Sequence, residues 1–444
     1  MSDMAANKLS SLKKPRLSGS LRPPGDKSIT HRALIFAALV KGYVQIKGAL
    51  QSFDTVTTVN AMRKLGLDIS PLESDPTALR VASPGLTRMA RTHITEEIDC
   101  GNSGTTMRLL SGLVCSLNGS QFAFDGDESL QKRDMSRVLT LVGSMGAKVD
   151  YLAELGYAPF VVRGGSLRGG EFVLPVSSAQ VCTSLLLAGL KASGVTTVST
   201  PYQVRDHSVR LLKFMGVDIT ADELKCSVKP LAKDLPGTTI TVPGDLSSAA
   251  FFMVAAAILP GSKITMQGVG LNPGRTLVID VLREMGVPIV IANESEICGE
   301  PVGDVTVVGP DSLAAVTIPA ASVARGIDEL PLLTLAFVFA QGRSAILGAQ
   351  ELKTKESNRL ASIFNNLSEA GAKVESFADS IFVEGEGVLP GGSHWTTLND
   401  HRLAMTGLIA NLASEQPILP DSLSSIGVSY PHFEKDLASL VVSN

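Results

Sequence analysis

The chain has 444 residues, too many for one hydrophobic core, so at least two domains are expected. Its 39 Lys+Arg against 43 Asp+Glu and its 5% aromatic content exclude a global basic field and base-stacking surfaces, so no nucleic-acid partner is expected. Its 41 glycines and 23 prolines are aperiodic, which excludes a collagen-like or low-complexity chain.

Met1 to Leu17 is polar with scattered lysines and lacks the apolar core of a secretory signal. Asp3 speaks against an organellar transit peptide. The longest apolar runs, such as Ala249 to Leu259, reach about half a membrane span, so no membrane partner is expected. The five cysteines (Cys100, Cys115, Cys182, Cys226, Cys298) are far apart with no CxxC, which points to reduced thiols in a cytoplasmic protein and to no metal site.

The elements repeat along the chain. Pro24-Gly25-Asp26-Lys27-Ser28 aligns with Pro243-Gly244-Asp245-Leu246-Ser247, and the register continues from Ala33–Gly42 to Phe252–Gly261. A polar cluster, an apolar run and a glycine recur six times at intervals of about 70–80 residues. The clusters start near Asp26, Asn102, Ser177, Asp245, Asp328 and Asn399. Asp, Asn or Ser ahead of an apolar run is an N-cap signal, and runs apolar nearly all round predict buried helices. A second signal follows most of them: an amphipathic helix, a glycine (Gly66, Gly146, Gly216, Gly286, Gly371) and a short alternating strand. The pattern predicts an α/β (α+β) chain of two related halves, each of three units. Residues 24–242 would form one domain, and 1–23 with 243–444 the other, hinged near 23–25 and 242–245. Parallel buried helices would bring their N-termini to one face in each domain. Two such faces opposed across a hinge would make a cleft favouring anions.

The charges sit at those helix starts. The clusters are Gly25-Asp26-Lys27-Ser28-Ile29-Thr30-His31-Arg32, Gly101-Asn102-Ser103-Gly104-Thr105-Thr106-Met107-Arg108, and Ser129-Leu130-Gln131-Lys132-Arg133. Ser177-Ser178-Ala179-Gln180 and Val204-Arg205-Asp206-His207 follow, then Asp328-Glu329, Lys353 to Arg359, and Asp400-His401-Arg402. Singly, each reads as a capped helix start or a solvated face. Their recurrence at equivalent places implies an anionic ligand, for which Arg offers bidentate contacts and Lys a point charge. Asp328 and Glu356 are candidate proton-transfer groups in that setting.

The motifs PGDKSITHRAL, GNSGTTMRLLSG, SLQKR, SSAQV, VRDH, PGDLSSAAFF, IDELP, LKTKESNRL and NDHRLAM, in this order from about Leu17 to Leu440, closely resemble the 5-enolpyruvylshikimate-3-phosphate synthase family. The SAQV, KES and SYP forms resemble its second class. The resemblance implies two domains, each of three βαβαββ units with buried parallel helices, an inside-out α/β barrel. It implies transfer of the enolpyruvyl group of phosphoenolpyruvate to the 5-hydroxyl of shikimate 3-phosphate, with no cofactor, by a monomer. It also implies that glyphosate, a phosphonate inhibitor, acts on the chain.

Residue roles carry over as implications. Lys27 would touch both substrates. Ser28, Arg32, Ser178, Ala179, Gln180, Arg205, Asp328 and Lys355 would bind shikimate 3-phosphate, Arg205 by stacking or through the phosphate. Gly104, Arg133, Gln180, Glu356, Arg359 and Arg402 would bind phosphoenolpyruvate. Asp328, alone or with Lys27, would handle the hydroxyl proton, and Glu356 would protonate the methylene carbon. The cations are expected to repel one another until substrate anions neutralise them. Three positions depart from the family pattern: Cys182 stands in place of Lys, Asn358 in place of Asp, and Asp134 in place of Pro. UDP-N-acetylglucosamine enolpyruvyl transfer and a silent ligand-binding relative are the competing readings.

Overall fold

The computed structural model of the chain describes residues 15–89 and 96–442. The reading of residues 1–14 as leaderless, and their assignment to a domain, lie outside the described residues. The chain divides into two compact units. The first comprises Gly25–Pro243 with Glu296–Glu300; the second holds the chain through Pro24, Gly244–Ser295 and the chain from Pro301 on.

Among the described residues the first unit carries three four-stranded sheets. Their orders are Thr238–Thr241, Lys41–Lys47, Asp75–Pro84, Asp68–Leu72; then Glu96–Asp99, Gln121–Asp125, Phe160–Arg163, Lys148–Tyr151; and Arg168–Val173, Ser193–Ser199, Lys225–Val228, Ile219–Ala221. Each has one parallel pairing followed by two antiparallel ones. In the second unit, Arg16–Leu21 pairs in parallel with Lys263–Gly270, Ser18 opposite Lys263. A further sheet is built on Ala340–Ile346 and Ser380–Glu386, which pair antiparallel.

The apolar runs form the helices Lys27–Phe36, Gly104–Cys115 and Ala179–Gly189 in the first unit. Leu246–Ile258, Leu330–Val338 and His401–Ala413 are their counterparts in the second. Leu246–Ile258 and Leu330–Val338 are buried at every residue, as their unbroken apolarity requires. Five of the six are entered through a side-chain cap: Asp26 to Ile29 N at 2.8 Å, Ser103 to Thr106 N at 3.2 Å, Ser178 to Val181 N at 3.4 Å, Asp245 to Ser247 N at 3.0 Å and Asp400 to Arg402 N at 3.0 Å. Each cap satisfies an N–H that the first turn otherwise leaves open. At four starts the cap position, Ser103, Ser178, Glu329 or Asp400, stands one residue past the cluster start, and Glu329 makes no side-chain cap bond.

The helices Gly104–Cys115 and Ala179–Gly189 approach closely at Gly112. A Cβ there would fall 2.2 Å from the Ser184 carbonyl oxygen, so only glycine permits the crossing. The five amphipathic helices end as expected, with Gly66, Gly146, Gly216, Gly286 and Gly371 all at positive φ. The segment Lys353–Arg359 does not open a continuous helix. A short 3-10 turn, Gln350–Thr354, precedes a helix that begins at Arg359.

Candidate active-site clusters

In the first unit the sequence-predicted residues gather at the starts of the three buried helices. Lys27 opens its helix, and its Nζ lies 3.1 Å from Asp54 Oδ2. Arg32, one turn on, is buried. Its Nε donates to Ser208 Oγ at 2.7 Å, one terminal nitrogen to the Ser28 carbonyl at 3.0 Å and the other to Thr183 Oγ1 at 3.1 Å. Thr183 lies on the helix capped by Ser178, so Arg32 ties these two helix starts together. A nitrogen of Arg205 lies 3.5 Å from Ser28 Oγ.

Gly104 is flanked by two guanidinium groups. A Cβ on it would meet Arg108 at 3.0 Å and Arg133 at 3.4 Å. Arg108 donates to Gln180 Oε1 at 2.8 Å, and Gln180 Nε2 donates to Thr105 Oγ1 at 2.9 Å. Arg133 donates to Asn102 Oδ1 at 2.6 Å, while its Nε is shielded from solvent and has no hydrogen-bond partner among the described residues. A shielded, unsatisfied cationic donor beside a helix N-terminus is set to receive an anion. Asp134 accepts from Ser136 N at 2.7 Å, and its carbonyl accepts from Arg108 at 3.3 Å, so this departure supports the turn that carries Arg133.

His31 sits beneath this cluster, fully buried, with Nδ1 2.7 Å from Thr58 Oγ1. Burial first, then the positive charges of Lys27 and Arg32, push its pKa down to about 3. The folded chain therefore keeps His31 neutral while the unfolded chain protonates it below about 6.5. The unfolded state binds the extra proton, so stability rises with pH between about 3 and 6.5 and is lost on acidification. His31→Gln is expected to make urea-unfolding stability fall less steeply across that window, by up to about 1.4 kcal/mol per pH unit. An unchanged slope would contradict the buried neutral imidazole.

In the second unit the cations converge on Asp328. Its carboxylate lies 3.5 Å from Lys355 Nζ, 3.4 Å from Arg359 and 4.0 Å from Arg402. Arg359 is buried and also contacts Glu356 Oε2 at 2.6 Å and Asp400 at 2.7 and 3.2 Å. Burial opposes its charge, but Asp400, Glu356 and Asp328 together hold its pKa above the ordinary arginine value. Arg402 donates to the Asp328 carbonyl at 3.0 Å and lies 3.4 Å from Glu329 Oε1. Glu329 is held by the Ser247 hydroxyl, which Arg275 contacts in turn, and Arg275 pairs with Asp245 at 3.2 Å. The expected mutual repulsion of cations does not hold here, because Lys355, Arg359 and Arg402 each face at least one carboxylate. Asn358 caps its helix by accepting from Ala361 N at 3.2 Å, while Arg359 is oriented by Asp400 and Glu356.

Sequence reasoning left several members of these clusters without a role. Arg108 lies within the GNSGTTMRLLSG motif, and its position one turn after Gly104 places it on the same helix face. Ser247 likewise lies in the PGDLSSAAFF motif, whereas Asp54 and Arg275 carry no comparable local signal, since they reach the clusters only through tertiary packing.

Residues 12–437 match the model of the family described as EPSP synthase (3-phosphoshikimate 1-carboxyvinyltransferase). The chain is 41% identical over 426 residues to a 3-phosphoshikimate 1-carboxyvinyltransferase of Syntrophomonas wolfei, covering 96% of this chain and 97% of that one. It is 43% identical over 429 residues to one from a Synechococcus strain, covering 96% of each. An EPSP synthase structure from Acinetobacter baumannii superposes with a TM-score of 0.84 at 34% identity, covering 97% of both chains. With two helix-start clusters carrying the motifs and relatives matched over nearly their whole length, the chain belongs to the EPSP synthase (3-phosphoshikimate 1-carboxyvinyltransferase) family.

Proposed function

We propose that the chain transfers the enolpyruvyl group of phosphoenolpyruvate to the 5-hydroxyl of shikimate 3-phosphate and releases phosphate, a step of the shikimate pathway. The observation that carries the residue assignment is the convergence of Lys355, Arg359 and Arg402 on Asp328. Three cations around one carboxylate can hold an anionic acceptor with its hydroxyl within hydrogen-bond reach of that carboxylate.

Asp328, alone or with Lys27, removes the 5-hydroxyl proton as that oxygen bonds to C2 of phosphoenolpyruvate. Glu356 supplies a proton to C3, giving a tetrahedral adduct. Glu356, ionised by that transfer, takes a C3 proton back as the C–O bond to phosphate breaks, which restores the double bond and releases phosphate. Shikimate 3-phosphate is held by Lys27, Ser28, Arg32, Ser178, Ala179, Gln180, Arg205, Asp328 and Lys355. Phosphoenolpyruvate is held by Lys27, Gly104, Arg133, Gln180, Glu356, Arg359 and Arg402. The fixed guanidinium groups stabilise the charge that develops on the leaving phosphate.

Phosphate release from phosphoenolpyruvate, measured with shikimate 3-phosphate and with UDP-N-acetylglucosamine as acceptors, tests the reading. Turnover is expected only with the first. Calorimetric binding of both substrates without turnover would instead favour a silent relative.

The finer architecture belongs to the same proposal: two domains, 24–242 and 1–23 with 243–444, hinged near 23–25 and 242–245. Each holds three βαβαββ units around buried helices, an inside-out barrel. The repeated sheet order of the first unit supports the threefold reading. The chain acts as a monomer in the cytoplasm, which light scattering and cell fractionation test. No described helix is long and apolar enough to cross a membrane.

Gly104→Ala is expected to push aside the Arg108 guanidinium, 3.0 Å from the added Cβ, to fill the space beside Arg133, and to raise the KM for phosphoenolpyruvate about 10–100-fold, the cost of one charge-assisted hydrogen bond. Inhibition by glyphosate is expected to weaken with it. Steady-state kinetics with an unchanged KM would remove Gly104 from the phosphoenolpyruvate site.

A further inference from the structure

Cys182 lies in the first turn of the Ala179–Gly189 helix, and Cys226 on the Lys225–Val228 strand. Their Sγ atoms are 3.3 Å apart, and both residues are buried free thiols. A disulfide places the sulfurs about 2.05 Å apart, so the two have only about 1.3 Å to close. A cleft lined by Cys182, Cys226, Thr183, Arg205 and Ser208 opens beside the sulfurs and gives a small oxidant a route to them.

We propose that Cys182 and Cys226 form an oxidation site at which hydrogen peroxide makes an intramolecular disulfide. The Cys226 thiolate attacks a peroxide oxygen, the O–O bond breaks, and hydroxide leaves. The Cys182 sulfur then attacks the resulting sulfenic acid, the S–S bond forms, the S–O bond breaks, and water carries off the oxygen. Two thiols and one peroxide thus give one disulfide and two waters.

The order of attack follows from the hydrogen bond between the thiols. The contact with Cys182 holds the Cys226 thiol below its ordinary range, against burial and Asp222, and raises Cys182 instead. The other three cysteines all lie above that range through burial, Cys115 at about 12. Thiolate character selects the reactive cysteine.

The disulfide also bears on the site. It draws Cys182 toward the strand, four residues after Ser178, and so shifts the helix start that grips shikimate 3-phosphate; this consequence rests on the function proposed above. The full chain is titrated with hydrogen peroxide, unfolded, alkylated and digested, and its peptides are weighed without reduction. The expected result is a linked pair of peptides containing Cys182 and Cys226, lighter by two hydrogens, formed before Cys298 is oxidised. The KM for shikimate 3-phosphate should rise several-fold in step and return with dithiothreitol.

In Cys226→Ser, and independently in Cys182→Ser, peroxide should leave that KM unchanged. Alkylatable Cys182 and Cys226 in a sample whose Cys298 is already oxidised would overturn the site. Because the linkage is read by mass, it stands or falls separately from the substrate assignment. A linked pair with an unchanged KM would overturn the coupling to substrate.

Discussion

Asp328→Ala is expected to lower kcat about 10²–10⁴-fold, the usual contribution of a positioned proton-transfer group. The carboxylate is the common partner of Lys355, Arg359 and Arg402. Its removal would take away the proposed base and leave three cations facing one another. Asp328→Asn separates these effects, because the amide keeps the size and an accepting oxygen but cannot take the proton. If the base role is correct, the Asn variant should lose kcat nearly as fully as the Ala variant. KM for phosphoenolpyruvate should change less, since Arg359 keeps Asp400 and Glu356 as partners. Near wild-type turnover in either variant would remove Asp328 from the proton-transfer step.

Asp400→Ala is expected to destabilise the chain by about 3–5 kcal/mol, the cost of leaving one member of a buried ion pair without its partner. Asp400 and Arg359 are both essentially inaccessible, at 0% and 1% side-chain exposure. Asp400 also accepts from the Ser357 hydroxyl and caps the His401–Ala413 helix, and the lost cap adds about 1 kcal/mol. Urea unfolding monitored by far-ultraviolet circular dichroism reads the change. Replacing both partners, Arg359→Met with Asp400→Leu, should recover much of the stability while activity stays lost, because no charge is then left buried and unpaired. A shift below about 1 kcal/mol in the single variant would show that Glu356 and Asp328 suffice to hold Arg359.

The elements most legible in the sequence were those specified locally. Caps such as Asp26, Ser178 and Asp245, and glycines such as Gly66 and Gly286, act within a few residues of their own positions, and their side chains or φ angles stand where the pattern put them. The apolar run Leu246–Ile258 could be read as buried because it leaves no polar face for solvent. The charge balance around the cations was not legible. Asp328 and Glu329 reach Arg402, and Asp328 and Asp400 reach Arg359, from segments far along the chain; only Glu356 lies within three residues of Arg359, and no spacing rule connects Arg275, Ser247 and Glu329. Composition shows that carboxylates are numerous but not that Asp328, Glu356 and Asp400 stand beside the arginines. The Cys182–Cys226 contact was hidden for the same reason, since it joins a helix to a strand across tertiary packing.

The parallel pairing of Ser18 with Lys263 constrains the order in which the chain can mature on the ribosome. Synthesis at roughly 5–20 residues per second leaves Arg16–Leu21 waiting on the order of 10–50 s for its partner strand. Meanwhile Gly25–Pro243 emerges as one contiguous stretch that lacks only the Glu296–Glu300 turn. The unit translated first can therefore consolidate early, while the nascent N-terminal strand keeps an unpaired edge. That waiting strand is open to capture by chaperones, or to misassociation, until its partner is made.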